Sequence, residues 1–231
     1  MLYAAGNRRH DDRGTMTIDF NSRKRGKAMS INLQKGQKIN LSKESRSGLN
    51  KVMVGLGWDE VPQKRGLFAP KPQDIDCDAF AILLGYDGKL LNHTNDIKQC
   101  TVFFNNLVWP GGSIRHMGDN LTGAGEGDDE QIFVDLQNVP LEVGTIVFAV
   151  NIYDAFKRNQ HFGMIRNAFI RVVDYEHNVE LCRFELSENY YNMTALVAGA
   201  LMRTDNGWEF ITDGNAARVE SLVNVVAAFA D

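Results

Sequence analysis

The chain has 231 residues, 44% of them hydrophobic and 23% charged, with a formal net charge of −4. That is a soluble globular composition with room for one large domain or two small ones, and no apolar run approaches the roughly 20 residues of a membrane span. The opening MLYAAGNRRHDD has no apolar core before a small-residue cleavage site, so no secretory signal is expected. Cys77, Cys100 and Cys182 are odd in number and widely spaced, which argues against a disulfide framework and for a reducing compartment.

The charge is unevenly spread. Residues 1–28 carry seven basic side chains (Arg8, Arg9, Arg13, Arg23, Lys24, Arg25 and Lys27) against three acidic ones, so the arm is +4 and the remainder −8. A polar basic arm ahead of an acidic body reads as a disordered, solvated tail. RKRGK is too short to argue for nucleic acid or a membrane surface, and neither nucleic-acid binding nor direct membrane insertion is expected.

Ordered sequence begins near Met29. Ile31, Leu33, Ile39 and Leu41 alternate with polar residues on either side of a turn at Lys35-Gly36-Gln37, a strand–turn–strand pattern. Val52, Val54 and Leu56 alternate with Met53, Gly55 and Gly57, giving a strand with little bulk on one face. Residues 60–73, with three prolines, form a loop. Further short apolar runs at 80–84, 101–104, 132–136, 145–151, 169–173 and 181–186 are rich in Val, Ile and Phe and bounded by turn residues. Many short strands predict an all-β-dominated fold, a β-sandwich of two sheets. The tail differs: Met193, Leu196, Val197, Ala200 and Leu201, and then Val219, Leu222, Val223, Val226 and Phe229, recur at helical spacing. Two accessory C-terminal helices are therefore expected around a Trp208–Ile211 strand. No internal repeat is visible, and 29–231 reads as one domain.

Two acidic segments carry the chemistry. Asp74, Asp76 and Asp78 alternate; in an extended segment their carboxylates share one side, where mutual repulsion and desolvation call for a cation or strong donors. Calcium, a hard oxygen-seeking ion, suits such a cluster, although Asp-x-Asp-x-Asp alone is a weak signal and a solvated loop has the same composition. Cys77, between two aspartates, reads as a small buried side chain rather than a soft-metal ligand. The second segment is stronger. Gly118 to Glu130 holds five carboxylates (Asp119, Glu126, Asp128, Asp129 and Glu130), Asn120, four glycines and no basic residue. Glycines let carbonyls and carboxylates bend toward one point, and calcium takes about six to eight oxygens; a flexible acidic hairpin loop is the plainer alternative.

Neither segment is an EF-hand. Counted from Asp74, positions 6 and 12 are Ala79 and Gly85. Counted from Asp119, position 12 is Glu130, but positions 3, 5 and 6 are Leu121, Gly123 and Ala124. A phosphate-binding GxxxxGK[ST] and a GxSxG elbow are absent, and the five histidines never pair at zinc-ligand spacing. His116 stands three residues before Asp119, either as a donor behind the acidic segment or as a strand-surface histidine. Acidic clusters also serve two-metal phosphoryl chemistry, yet no nucleophile or orienting arginine cluster accompanies this one.

Several stretches together resemble the TerD-like tellurium-resistance and general stress protein family. MSINLQKGQKINLSK from Met29 and VMVGLGWD at 52–59 resemble its start, and Asp76-Cys77-Asp78 stands where its DLD element falls. His116-Met117-Gly118-Asp119-Asn120-Leu121-Thr122-Gly123 through Gly127-Asp128-Asp129-Glu130 is similar to its HxGDNxTGxGxGDDE signature, and Asn151-Ile152-Tyr153-Asp154-Ala155, Phe162-Gly163 and Ala168-Phe169-Ile170-Arg171 also fit. The resemblance spans essentially 29–231, apart from the preceding arm and the proline-rich 60–73 insert. It implies a β-sandwich with accessory helices and calcium held by the matched acidic residues. A cytoplasmic setting beside other stress-operon proteins, including a membrane partner, is also implied. The expected function is therefore a non-enzymatic calcium-binding stress protein. Its metal candidates are Asp76, Asp78, Asp119, Asp128, Asp129 and Glu130, with Asp74, Asn120, Glu126 and Asp154 behind them. The alternatives are a metal-dependent phosphoesterase using the same carboxylates and a metal-independent acidic scaffold for protein partners.

Overall fold

A computed structural model describes residues 30–45, 48–60, 74–93, 96–118, 127–186, 188 and 190–230. Two six-stranded sheets face each other. In chain order the strands are β1 (Ile31–Leu33), β2 (Lys38–Asn40), β3 (Lys51–Glu60), β4 (Cys77–Leu84), β5 (Thr101–Val102), β6 (Ile114–His116), β7 (Glu130–Asp135), β8 (Thr145–Ile152), β9 (Ile165–Asp174), β10 (Val179–Glu185), β11 (Ala195–Thr204) and β12 (Gly207–Ala217). The first sheet runs β1-β10-β9-β3-β7-β6 and the second β2-β12-β11-β8-β4-β5. Among the described strands every pairing is antiparallel except β1 with β10. The predicted turn after β1 therefore links the two sheets instead of closing a hairpin, with Gly36 at φ 76° making the bend.

Four short α-helices, α1 (Leu41–Glu44), α2 (Ile97–Cys100), α3 (Ala155–Arg158) and α4 (Leu222–Ala227), and two 3-10 turns at Leu91–His93 and Phe162–Met164 join the described strands. No helix of the described residues is long and apolar enough to cross a membrane. Every residue of β4 is buried, so both of its faces are covered. One faces the other sheet across a core that includes Val52, Val54, Ile132 and Phe148. The other, which carries Asp78 and its cross-strand partner Asn151, lies under α2, the following Phe103-Phe104 turn and the start of α4.

The helix expected over Met193–Leu201 is not formed; from Ala195 on, those residues belong to β11. A register shift between Val197 and Gly199 explains the misleading pattern. An extra residue there resets the two-residue alternation, so burial falls at 195, 196, 198, 199 and 201, which imitates helical spacing. Small side chains deepen the disguise, since a Cβ on Gly199 would lie 2.7 Å from Ile211 O and from the Phe210 ring. The second expected helix survives as the six-residue α4, and the run at 101–104 shortens to the two residues of β5. Phe148 is fully buried between the sheets. Phe148→Ala is expected to cost about 3–5 kcal/mol, read as a fall in the urea midpoint at unchanged slope; a change under about 1 kcal/mol would contradict this packing.

Candidate functional site

The ends of β3 and β8 and the starts of β4 and β7 converge at one end of the sandwich, and the acidic segments sit there. On β3, Gly55 and Gly57 leave a bare track. A Cβ on Gly55 would lie 2.3 Å from the Asp128 carboxylate, and one on Gly57 2.6 Å from Gly127 O. The acidic segment thus returns to the sheet across the glycines. Asp128, with a fully buried side chain, is gripped by Arg171 of β9: Nε donates to Oδ1 at 2.7 Å and Nη2 to Oδ2 at 2.9 Å. Gln131 Nε2 also donates to Oδ2, at 3.2 Å. Glu180 in turn accepts from Arg171 Nη1 at 3.0 Å, and these carboxylates push the arginine pKa up.

Asp129 follows. The β3–β9 ladder shifts register between Gly57 and Asp59, which releases the Trp58 N–H, and Asp129 Oδ2 accepts it at 2.7 Å. Burial raises the Asp129 pKa above its ordinary value; the Trp58 hydrogen bond opposes this, and the charges of Asp59, Asp128 and Glu130 reinforce it. Glu130 is 1% exposed, and its Oε2 accepts from Ala79 N at 2.9 Å and lies 3.0 Å from His116 Nε2. His116 Nε2 also reaches Ala79 O at 3.1 Å, and Gly118 N donates to Nδ1 at 3.2 Å. A nitrogen that accepts carries no proton, so the proton sits on Nε2. His116 and Glu130 therefore serve the open edge of β4 as a strand would, one donating to and one accepting from Ala79. Of the two sequence readings of His116, the donor one holds: the ring is buried and not on a strand surface.

From the other side comes Asp76. Its carbonyl accepts from Tyr153 N at 2.8 Å, extending the β4–β8 ladder past Ile152. Left-handed residues Asp154 (φ 51°) and Asn159 (φ 51°) bracket α3 and turn Arg158 back until Nη1 stands 3.5 Å from Asp76 Oδ2. Asp76 Oδ1 is buried and has no hydrogen-bond partner among the described residues. Burial raises the Asp76 pKa; Arg158 lowers it, and the Glu130 charge raises it further.

The sequence-derived candidates therefore divide. Asp76, Asp129 and Glu130 share one electrostatic neighbourhood. Asp128 and Glu130 Oε2 are engaged in internal bonds. Asp74 offers its carbonyl to Gln160 Nε2 at 3.2 Å. Asp78 faces the outer layer of the second sheet, and Asp154 pairs with Lys157 at 3.6 Å. Asp119, Asn120 and Glu126 lie outside the described residues, and among the described residues no three His, Cys, Asp or Glu side chains form a metal-holding group. Cys77 is buried and its pKa is raised, first by burial and then by the charges of Asp78, Asp76, Glu130 and Glu60, so it stays a neutral thiol. Sequence reasoning passed over Arg158, and it named Arg171 and Asn151 only as members of family-like stretches, with no role; it noted the bare face of β3 but not what lies on it.

The family model for the TerD domain matches residues 29–229. The stress response protein SCP2 of Bacillus subtilis is 43% identical over 203 residues, covering 85% of this chain and 98% of that protein. The tellurium resistance protein TerD of Serratia marcescens is 42% identical over 182 residues, covering 79% and 88%. A crystal structure of a TerD homologue from Streptomyces coelicolor superposes with a TM-score of 0.55 at 22% identity, covering 76% of this chain and 95% of that one. Arg171→Leu is expected to cost about 3 kcal/mol by leaving the Asp128 carboxylate buried and unpaired. Asp128→Asn in the same chain should recover at least about 1 kcal/mol; purely additive losses in denaturant melts would show that the pair is not coupled.

Proposed function

This chain belongs to the TerD domain family, and on that premise we propose that it is a non-enzymatic calcium-binding stress protein whose metal centre forms where the 119–130 segment meets the start of β4. Asp76 carries the reading: a partly buried carboxylate whose buried Oδ1 lacks a hydrogen-bond partner among the described residues, beside the charge of Glu130. A hard cation bound between Asp76 and Asp129 would relieve both desolvation and repulsion. Asp119, Asn120 and Glu126 would supply further oxygens. Asp128 and Glu130 would hold the segment in place, since their oxygens already serve Arg171, Ala79 and His116. The phosphoesterase alternative is weaker for the same reason, because carboxylates locked in internal bonds are poorly placed to exchange partners during turnover. The cytoplasmic setting and the company of other stress proteins, one of them in a membrane, belong to the same proposal. They rest on the family membership and on the tellurium-resistance and stress-response names of its relatives.

The pKa directions set the pH dependence. Asp76 and Asp129 are raised above the ordinary 3.8, so the fold favours their protonated forms. Their contribution to stability is full below that value and is lost as pH rises through the raised values. Calcium restores it only once the carboxylates are ionised, so calcium-induced stabilisation should be larger at pH 7 than at pH 4.5. At a concentration 100 times Kd, calcium should raise the melting temperature by about 5–10 °C, and chelator should reverse the rise; an unchanged melt at millimolar calcium would sink the proposal. Asp76→Asn should leave the metal-free chain at pH 7 as stable or up to about 3 °C more so, while cutting the calcium-induced rise. A variant that lost stability without calcium and kept the full response would contradict the role given to Asp76.

A further inference from the structure

Two arginines face carboxylates at the acidic end, and their grips differ. Arg171 closes bonds of 2.7 and 2.9 Å on the two oxygens of Asp128. Arg158 meets Asp76 through a single contact of 3.5 Å, from Nη1 to Oδ2. A fork of two short parallel bonds fixes distance and direction, whereas one contact at the outer limit of hydrogen bonding fixes neither. Among the described residues Arg158 forms no other ion pair. Its guanidinium carbon also stands 4.9 Å from the centre of the Tyr153 ring. The side chain thus has two attractions, a carboxylate and an aromatic face, and it keeps the second when it gives up the first.

The compensation that Arg158 provides is incomplete. It lowers the Asp76 pKa, yet burial prevails and the value stays raised. The charges that act on Asp129 are those of Asp59, Asp128 and Glu130, all negative. Asp76 Oδ1 remains buried without a hydrogen-bond partner among the described residues. A guanidinium is a planar, singly charged donor, while a hard divalent ion draws oxygens from several directions at once. The backbone is held independently of the ion pair: Tyr153 N donates to Asp76 O at 2.8 Å, and Gln160 Nε2 donates to Asp74 O at 3.2 Å. These bonds keep the α3 turn on the start of β4, so exchanging one cation for another asks only that the Arg158 side chain rotate.

We propose that Arg158 is a tethered counter-cation that occupies Asp76 in the metal-free chain, yields it when calcium binds, and thereby sets the calcium affinity of the site. The inference rests on the calcium reading and deepens it. Because the competing cation belongs to the chain, it is present at a fixed effective concentration and must be displaced at every binding event. The sign of its effect follows. An arginine that only held Asp76 in a ligating pose would strengthen calcium binding; one that competes for Asp76 weakens it.

The test is calorimetric titration of the full chain with calcium chloride at pH 7, for the wild type, Arg158→Met and Arg158→Lys. Methionine keeps an apolar stem over Tyr153 but brings neither charge nor an oxygen that could ligate calcium. Arg158→Met is expected to tighten calcium binding about threefold to tenfold, and Arg158→Lys, which keeps the charge, to stay within about twofold of the wild type. In the wild-type chain the Arg158 guanidinium hydrogens, followed by nuclear magnetic resonance, should exchange with water faster in calcium than in chelator. That measurement decides the matter even if Arg158→Met fails to fold. Calcium affinity that is unchanged or weaker in Arg158→Met, equal tightening by Arg158→Lys, or guanidinium exchange that calcium leaves unchanged or slows would overturn the inference and leave the calcium reading standing. Calcium binding to none of the three chains would overturn both.

Discussion

The arrangement of the acidic end depends on one ion pair. Arg171 spans from β9 to Asp128 across Gly55, closing two parallel hydrogen bonds onto a carboxylate removed from water. Such a fork fixes direction as well as distance, and any side chain at position 55 would occupy the space of the carboxylate. Once Asp128 is fixed, its neighbours follow. Asp129 falls opposite the N–H that the bulge at Trp58 releases, and Glu130 reaches the edge of β4. The segment is thereby bound to both sheets at its base: β3 and β9 on one side, β4 on the other.

That division of labour gives the acidic signature two kinds of carboxylate. Those of Asp128 and Glu130 are satisfied inside the protein. Asp76 and Asp129 stay partly in conflict with their surroundings, because burial and like charges raise their pKa values, against Arg158 at Asp76 and the Trp58 N–H at Asp129. A fold that only maximised its own stability would replace them with neutral groups. In the proposed function a cation completes the set, and the bonds of the other two carboxylates supply the rigidity such a site needs.

Most of the longer strands were legible in the sequence, because buried strands of Val, Ile and Phe between turn residues announce themselves, and the glycine face of β3 stood out as a strand without bulk; their order in the sheets was not. What sits on that face was not legible: Arg171 and Asp128 are 43 residues apart, and no local pattern says that they meet. The β11 misreading has a different cause. A bulge of one residue turned a two-residue period into one that imitates a helix, and only pairing with β8 and β12 resolves it. For the site, the acidic composition gave the candidates, but spacing treated all carboxylates alike; burial and partners separate those that bond inward from those that repel. Asn151 entered only within a family-like stretch, since nothing local shows that its amide oxygen is buried without a donor among the described residues.

The central claim is that the base of the acidic segment is fastened to both sheets and that calcium tightens it. Native-state hydrogen exchange at the Trp58 and Ala79 amides, with calcium and with chelator, addresses it most directly. The account predicts that both amides exchange as slowly as neighbouring core-strand amides without metal and more slowly still with calcium. Exchange at exposed-loop rates, with no response to calcium, would contradict it.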